Sequence, residues 1–117
     1  MTEHDSQAAL FGMVAYDPRF RWLFAVPNGG ARNPVVGARM KRGGTKRGIW
    51  DVAFLEPRGG YHGLWIEMKH GRNKLTPEQA EFGDYVRAQG YATAVCYSAD
   101  DAYRALVEYA ERECGVK

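Results

Sequence analysis

What this chain has little of narrows the reading first. It holds two cysteines, Cys96 in an apolar run and Cys114 near the C-terminus. That is too few for a disulfide framework and lacks the paired spacing of a zinc site, so a reducing cytosol is the expected compartment. No apolar run approaches the roughly 20 residues needed to cross a bilayer, and no membrane association is expected. The opening Met1–Thr2–Glu3–His4–Asp5 is polar and acidic, unlike a secretory signal. Internal repeats, low-complexity tracts and linkers are missing. The net charge of +2 excludes a polybasic protein. What remains is 117 residues, 45% hydrophobic and 26% charged, read as one domain over residues 1–117 around a single core.

The charge is modest in sum but uneven in place. Arg39, Lys41, Arg42, Lys46 and Arg47 fall within nine residues, and Arg72 and Lys74 form a second group. Cations interleaved with glycine suit a phosphate backbone, although a solvated surface loop has the same composition.

Periodicity sets out the elements. Gln7, Leu10, Phe11 and Val14 follow helical spacing within residues 3–16. Residues 21–26 read as a strand ending at Pro27, and Asn28-Gly29-Gly30 as a loop. A short helix over residues 34–42 begins with Pro34 and breaks at Gly43-Gly44. Residues 49–55 and 63–69 read as strands of an antiparallel hairpin turning near Gly59–Gly60. Thr76 caps a helix over residues 76–90, with Pro77 at its first position and Gln79 completing a capping box. Residues 92–97 read as a strand covered on both faces. Ser98 caps a last helix with Asp100 and Asp101 in its first turn. The order α-β-(α)-β-β-α-β-α implies a small mixed sheet flanked by helices, an α/β fold.

The chemistry concentrates in the hairpin. Alternation along residues 64–69 sends Trp65, Glu67 and Lys69 to one face and Leu64, Ile66 and Met68 to the other. A turn at Gly59–Gly60 brings Asp51 opposite residue 67 or 68. Two carboxylates and an amine then meet. Mg²⁺, or Mn²⁺ in its place, takes oxygen ligands, commonly one or two carboxylates with water and substrate phosphate. Asp51, Glu67 and the Met68 carbonyl are such donors, and Lys69 suits orientation of a water or stabilisation of a charged transition state. An ordinary cross-strand ion pair uses the same residue types, so the triplet alone does not decide. His4, His62 and His70 lack metal-ligand spacing and read as surface residues. Trp22, Trp50 and Trp65 read as packing.

Along its length, the sequence resembles the VRR-NUC domain of the PD-(D/E)xK nuclease superfamily. The resemblance runs from about Glu3 to Tyr109. It is carried by Glu3-xxx-Gln7, Pro27-Asn28-Gly29-Gly30-Ala31-Arg32, Gly48-Ile49-Trp50-Asp51-Val52, Glu67-Met68-Lys69, Leu75-Thr76-Pro77-Glu78-Gln79, and the segment from Gly90-Tyr91 to Ser98-Ala99-Asp100-Asp101-Ala102. It implies a restriction-endonuclease-like αβββαβ core and divalent-metal nuclease activity. Asp51 and Glu67 are implied as metal ligands, Lys69 as catalytic, and Glu3 and Gln79 as accessory. Members consisting of this domain alone are similar to phage proteins that act as homodimers and cut branched DNA such as Holliday junctions; a phage origin would place the chain in the host cytoplasm. DNA is the implied partner, with Arg32, Lys41, Arg42, Lys46, Arg47 and Lys74 as phosphate-binding candidates. The family often has Pro before the metal-binding Asp, where this chain has Trp50. A catalytically silent DNA-binding module and a restriction-like duplex endonuclease are the alternatives.

Overall fold

The computed structural model describes residues 2–27 and 34–114. Helix α1 spans Glu3–Val14 and opens with a reciprocal capping box between Thr2 and Asp5. It stops short of residue 16 because Asp17 caps a separate 3₁₀ turn at Pro18–Phe20. Strand β1 is only Phe24–Ala25, and helix α2 is Pro34–Arg42. Strands β2 and β3 are Val52–Phe54 and Leu64–Met68. Helix α3, strand β4 and helix α4 follow at Pro77–Ala88, Ala92–Cys96 and Ala99–Ala110.

The strands form one sheet in the order β1-β2-β3-β4, antiparallel except for the parallel β3–β4 pair. That single parallel pair follows from the connection, since α3 crosses over the sheet between β3 and β4. The β2–β3 connection turns at Gly59–Gly60, where Arg58 and Tyr61 exchange both backbone hydrogen bonds, at 3.1 and 2.8 Å.

Alternation divides the sheet's faces. Val52, Phe54, Leu64, Ile66, Met68 and Cys96 pack with Leu10 and Val14 of α1 and with Ala102, Leu106 and Tyr109 of α4. The opposite face carries Trp65, which meets Phe82 of α3 edge-on at 5.1 Å. Helices therefore flank both faces of a mixed sheet.

Two expectations are corrected. Strand β4 is not covered on both faces: it borders the sheet among the described residues, and Val95 is 40% exposed. Trp22 is no packing residue; it lies outside the two-residue β1, is 69% exposed and stacks with the Arg21 guanidinium. Along the inward stripe of α1, Leu10 and Val14 are buried and Gln7 and Phe11 half-buried, with Ser6 buried beside them. The histidines His4, His62 and His70 are exposed, as expected. Among the described residues no helix is long and apolar enough to cross a membrane.

Candidate active site

Asp51 directly precedes β2. The β2–β3 register pairs Val52 with Ile66, so one step further sets Asp51 opposite Glu67. The contact is reciprocal. The Asp51 amide donates to Glu67 Oε1 at 3.2 Å, and the Met68 amide donates to Asp51 Oδ2 at 2.9 Å. Backbone groups thus fix both carboxylates. Just after β1, the Val26 amide donates to the Asp51 carbonyl at 2.8 Å, which extends the β1–β2 pairing to this residue.

Lys69 follows on the same face as Glu67, with Nζ 3.5 Å from Glu67 Oε2. Both are buried, Glu67 at 1% exposure and Lys69 at 6%. Burial pushes the Glu67 carboxyl up to about 8, and the Asp51 charge adds to that shift; Lys69 opposes it. The electrostatics at Glu67 are those of a buried acid beside a second acid, with Lys69 offsetting part of the repulsion.

Gln79 completes the arrangement from α3. At the third helical position, its backbone amide donates to Thr76 Oγ1 at 3.2 Å and its Oε1 accepts the Thr76 amide at 3.0 Å. Its Nε2 meanwhile donates to Glu67 Oε2 at 3.0 Å. Capping and site contact are the two ends of one amide, so one side chain serves both.

Asp51, Glu67 and Gln79 line a cleft of about 1100 Å³ together with Glu3, Lys41, Lys46 and Arg47, while Lys69 lies behind Glu67 and outside the lining. Lys41 belongs to the last turn of α2, where cations also suit the helix dipole. Among the described residues, Lys41, Lys46 and Arg47 form no ion pair with an acidic side chain. Arg42 and Lys74 are outside the cleft lining, and Arg32, with the rest of Asn28–Asn33, lies outside the described residues. Glu3 reaches the cleft from the first turn of α1, and its Oε2 accepts from Asn73 Nδ2 at 3.4 Å. No three His, Cys, Asp or Glu side chains converge on one point among the described residues. The acidic donors that line the cleft beside one another are the Asp51 and Glu67 carboxyls, and the Met68 backbone adjoins them through its amide bond to Asp51 Oδ2.

Sequence reasoning missed several contributors. Asn73 and Tyr97 tie the loop after β3, the Tyr97 hydroxyl donating to the Asn73 carbonyl at 2.9 Å. Gly48 lies against the first turn of α3. Trp50, read only as packing, donates from Nε1 to the Gln79 carbonyl at 2.8 Å. For Gly48 and Trp50 the signal was available in their position, just before Asp51 in the Gly48-Ile49-Trp50-Asp51 stretch.

No family profile and no curated protein matches the chain. A solved structure does. A "VRR_NUC domain protein" superposes with a TM-score of 0.84 at 27% sequence identity, covering 97% of this chain and 92% of that one. The likeness covers nearly the whole chain, which therefore has the VRR-NUC fold, with a restriction-endonuclease-like core.

Proposed function

We propose that the chain is a divalent-metal-dependent, structure-selective DNA endonuclease that hydrolyses phosphodiester bonds at branched DNA such as Holliday junctions, and that it works as a homodimer. The observation that carries the reading is the crossed pair Asp51 and Glu67 in a cleft lined by Lys41, Lys46 and Arg47, with Lys69 3.5 Å from Glu67.

The residues present fit a hard cation. Two carboxylates and a backbone carbonyl, that of Met68, are oxygen donors of the kind Mg²⁺ or Mn²⁺ takes, with room left for water and phosphate. The raised Glu67 carboxyl beside Asp51 is also an arrangement that a cation relieves, by favouring the ionised form of both. When bound, such an ion supplies an acidified water and offsets charge building on the phosphate.

The chain's own groups do the rest. Gln79 holds Glu67 in place through Oε2. Lys69 carries a fixed positive charge beside the reacting phosphate and orients the attacking water. Lys41, Lys46 and Arg47 bind phosphates on either side of the scissile bond. Glu3, at the cleft's edge, limits where the strand lies. One site per chain and two strands to cut call for a two-fold dimer.

The test is direct. Purified protein is incubated with linear duplex, flap and four-way junction DNA, with Mg²⁺ or Mn²⁺ and then with EDTA. Junction cleavage that EDTA abolishes is the expected result. Binding without cleavage under either metal would make the chain a silent DNA-binding module, and equal cutting of linear duplex at one sequence would make it restriction-like.

A further inference from the structure

The stretch Gly48–Asp51 touches the first turn of α3 at two points. Gly48, at φ +88°, comes so close that a Cβ there would lie 2.6 Å from the backbone carbon and oxygen of Glu78. Two residues on, the Trp50 indole is fully buried and donates to the Gln79 carbonyl at 2.8 Å. A carbonyl has two lone pairs, so this bond adds to the helical one rather than replacing it.

Gly83, one turn beyond Gln79 on the same face of α3, makes room for that indole. A Cβ at Gly83 would stand 2.7 Å from Trp50 Cζ2. The ring also borders Phe82, with centroids 6.5 Å apart.

The contacts close a circuit. Trp50 is bonded covalently to Asp51. The Asp51 amide donates to Glu67 Oε1, Gln79 Nε2 donates to Glu67 Oε2, and Trp50 Nε1 donates to the Gln79 carbonyl. Removing the Trp50 link leaves the turn that carries Gln79 with the Gly48 packing contact but without the directional bond to its own carbonyl.

We infer that Trp50 is a positioning residue: its indole, seated against Gly83 and hydrogen-bonded to the Gln79 carbonyl, sets the first turn of α3 so that the Gln79 amide holds Glu67 in its working orientation. The inference rests on the nuclease reading for its kinetic consequence alone.

Three variants separate positioning from packing. Trp50→Phe deletes the donor and leaves a void. Gly83→Ala keeps the donor and crowds the ring. The double variant lets the added methyl occupy space the indole vacates, which restores packing without restoring the donor. We expect Trp50→Phe to lower kcat about 10–100-fold, as loss of a supporting hydrogen bond around a ligating group does, with KM changed little. The double variant should regain much of the lost Tm yet keep the low kcat. Activity that recovers along with Tm, or a wild-type kcat in Trp50→Phe, overturns the inference.

A second measurement needs no cleavage. In the ¹H–¹⁵N spectrum of the whole chain, the Gln79 side-chain amide should exchange slowly and lie away from free amides. In Trp50→Phe it should move toward them. An unmoved Gln79 amide overturns the inference even if the wild type cuts nothing; a moved amide beside an inactive wild type overturns the nuclease reading and upholds this one. Should Trp50→Phe not fold, benzothienylalanine in place of Trp50 deletes the N–H alone, and both readouts apply unchanged.

Discussion

Asp51 and Glu67 are crossed over the β2–β3 ladder: Glu67 Oε1 accepts the Asp51 amide at 3.2 Å, while Asp51 Oδ2 accepts the Met68 amide at 2.9 Å. Each carboxylate is therefore held by the other's strand. Their separation is set by the sheet rather than by freely turning side chains, which is how a site stays ready before its ligand arrives.

Asp51→Asn tests that pair with little disturbance. The amide oxygen still accepts from Met68, so the ladder and the fold should hold, with circular dichroism and Tm close to wild type. The charge is gone. With Asp51 as a ligand of the proposed cation, losing its charge should lower cleavage by about 100-fold or more. Cutting at the wild-type rate by the Asp51→Asn variant would remove Asp51 from the site.

Glu67 makes stability depend on pH in the metal-free protein. Burial and then Asp51 raise its carboxyl from the usual 4.5 to about 8 in the folded chain. The unfolded chain releases this proton first, so its contribution to stability is fully present below the unfolded value and lost as pH rises through the folded one. In EDTA, Tm should fall as pH rises from about 5 to about 8. Glu67→Gln should flatten that slope, and Mg²⁺ should oppose it. The same slope in Glu67→Gln, followed by calorimetry across this range, would assign the effect elsewhere.

The two ends of the Gln79 amide can be separated. Gln79→Glu keeps an oxygen for the Thr76 amide but turns a second carboxylate toward Glu67 where Nε2 stood at 3.0 Å. At about pH 5, where the raised Glu67 carboxyl keeps its proton and can share it with the new one, Tm should stay near wild type, while cleavage drops about 10–100-fold. Thr76→Ala removes the cap oxygen that accepts the Gln79 amide and should cost about 1 kcal/mol of stability, with a smaller loss of cleavage. If the two variants lost Tm and activity in the same proportion, Gln79 would be a capping residue only.

Local rules were enough for much of this architecture, and they stopped where contacts between distant segments begin. Thr76, Pro77 and Gln79 announce the start of α3 by spacing alone, and the helix begins at Pro77. The turn at Gly59–Gly60 fixes the hairpin, and with it the meeting of Asp51 and Glu67. Both signals act over a short stretch of chain. The Trp50–Gln79 bond joins residues 29 apart and the Glu3–Asn73 bond residues 70 apart, and neither has a local signature. Which face Trp50 presents depends on how α3 docks, and that docking depends on Gly83. Trp22 and Val95 misled for a related reason: an apolar residue marks a strand, but only the neighbouring layers decide whether it is covered.

Cleft cations differ from those outside it, and salt dependence distinguishes them. Lys46 and Arg47 line the same cleft as Asp51 and Glu67, whereas Arg42 and Lys74 do not. Each phosphate neutralised on duplex DNA contributes about 0.9 to the slope of log affinity against log salt. Reversing Lys46 and Arg47 together, as Lys46→Glu and Arg47→Glu, should therefore reduce the slope by about two and weaken binding most at low salt. Fluorescence anisotropy on a labelled junction in EDTA, over a series of salt concentrations, reads this without cleavage. Reversing Arg42 and Lys74 should change the slope less, because a phosphate seated in the cleft does not reach the surface outside it. Equal changes from both pairs would mean that the DNA follows the whole basic surface rather than entering the cleft, and an unchanged slope from Lys46 and Arg47 would assign them to solvent.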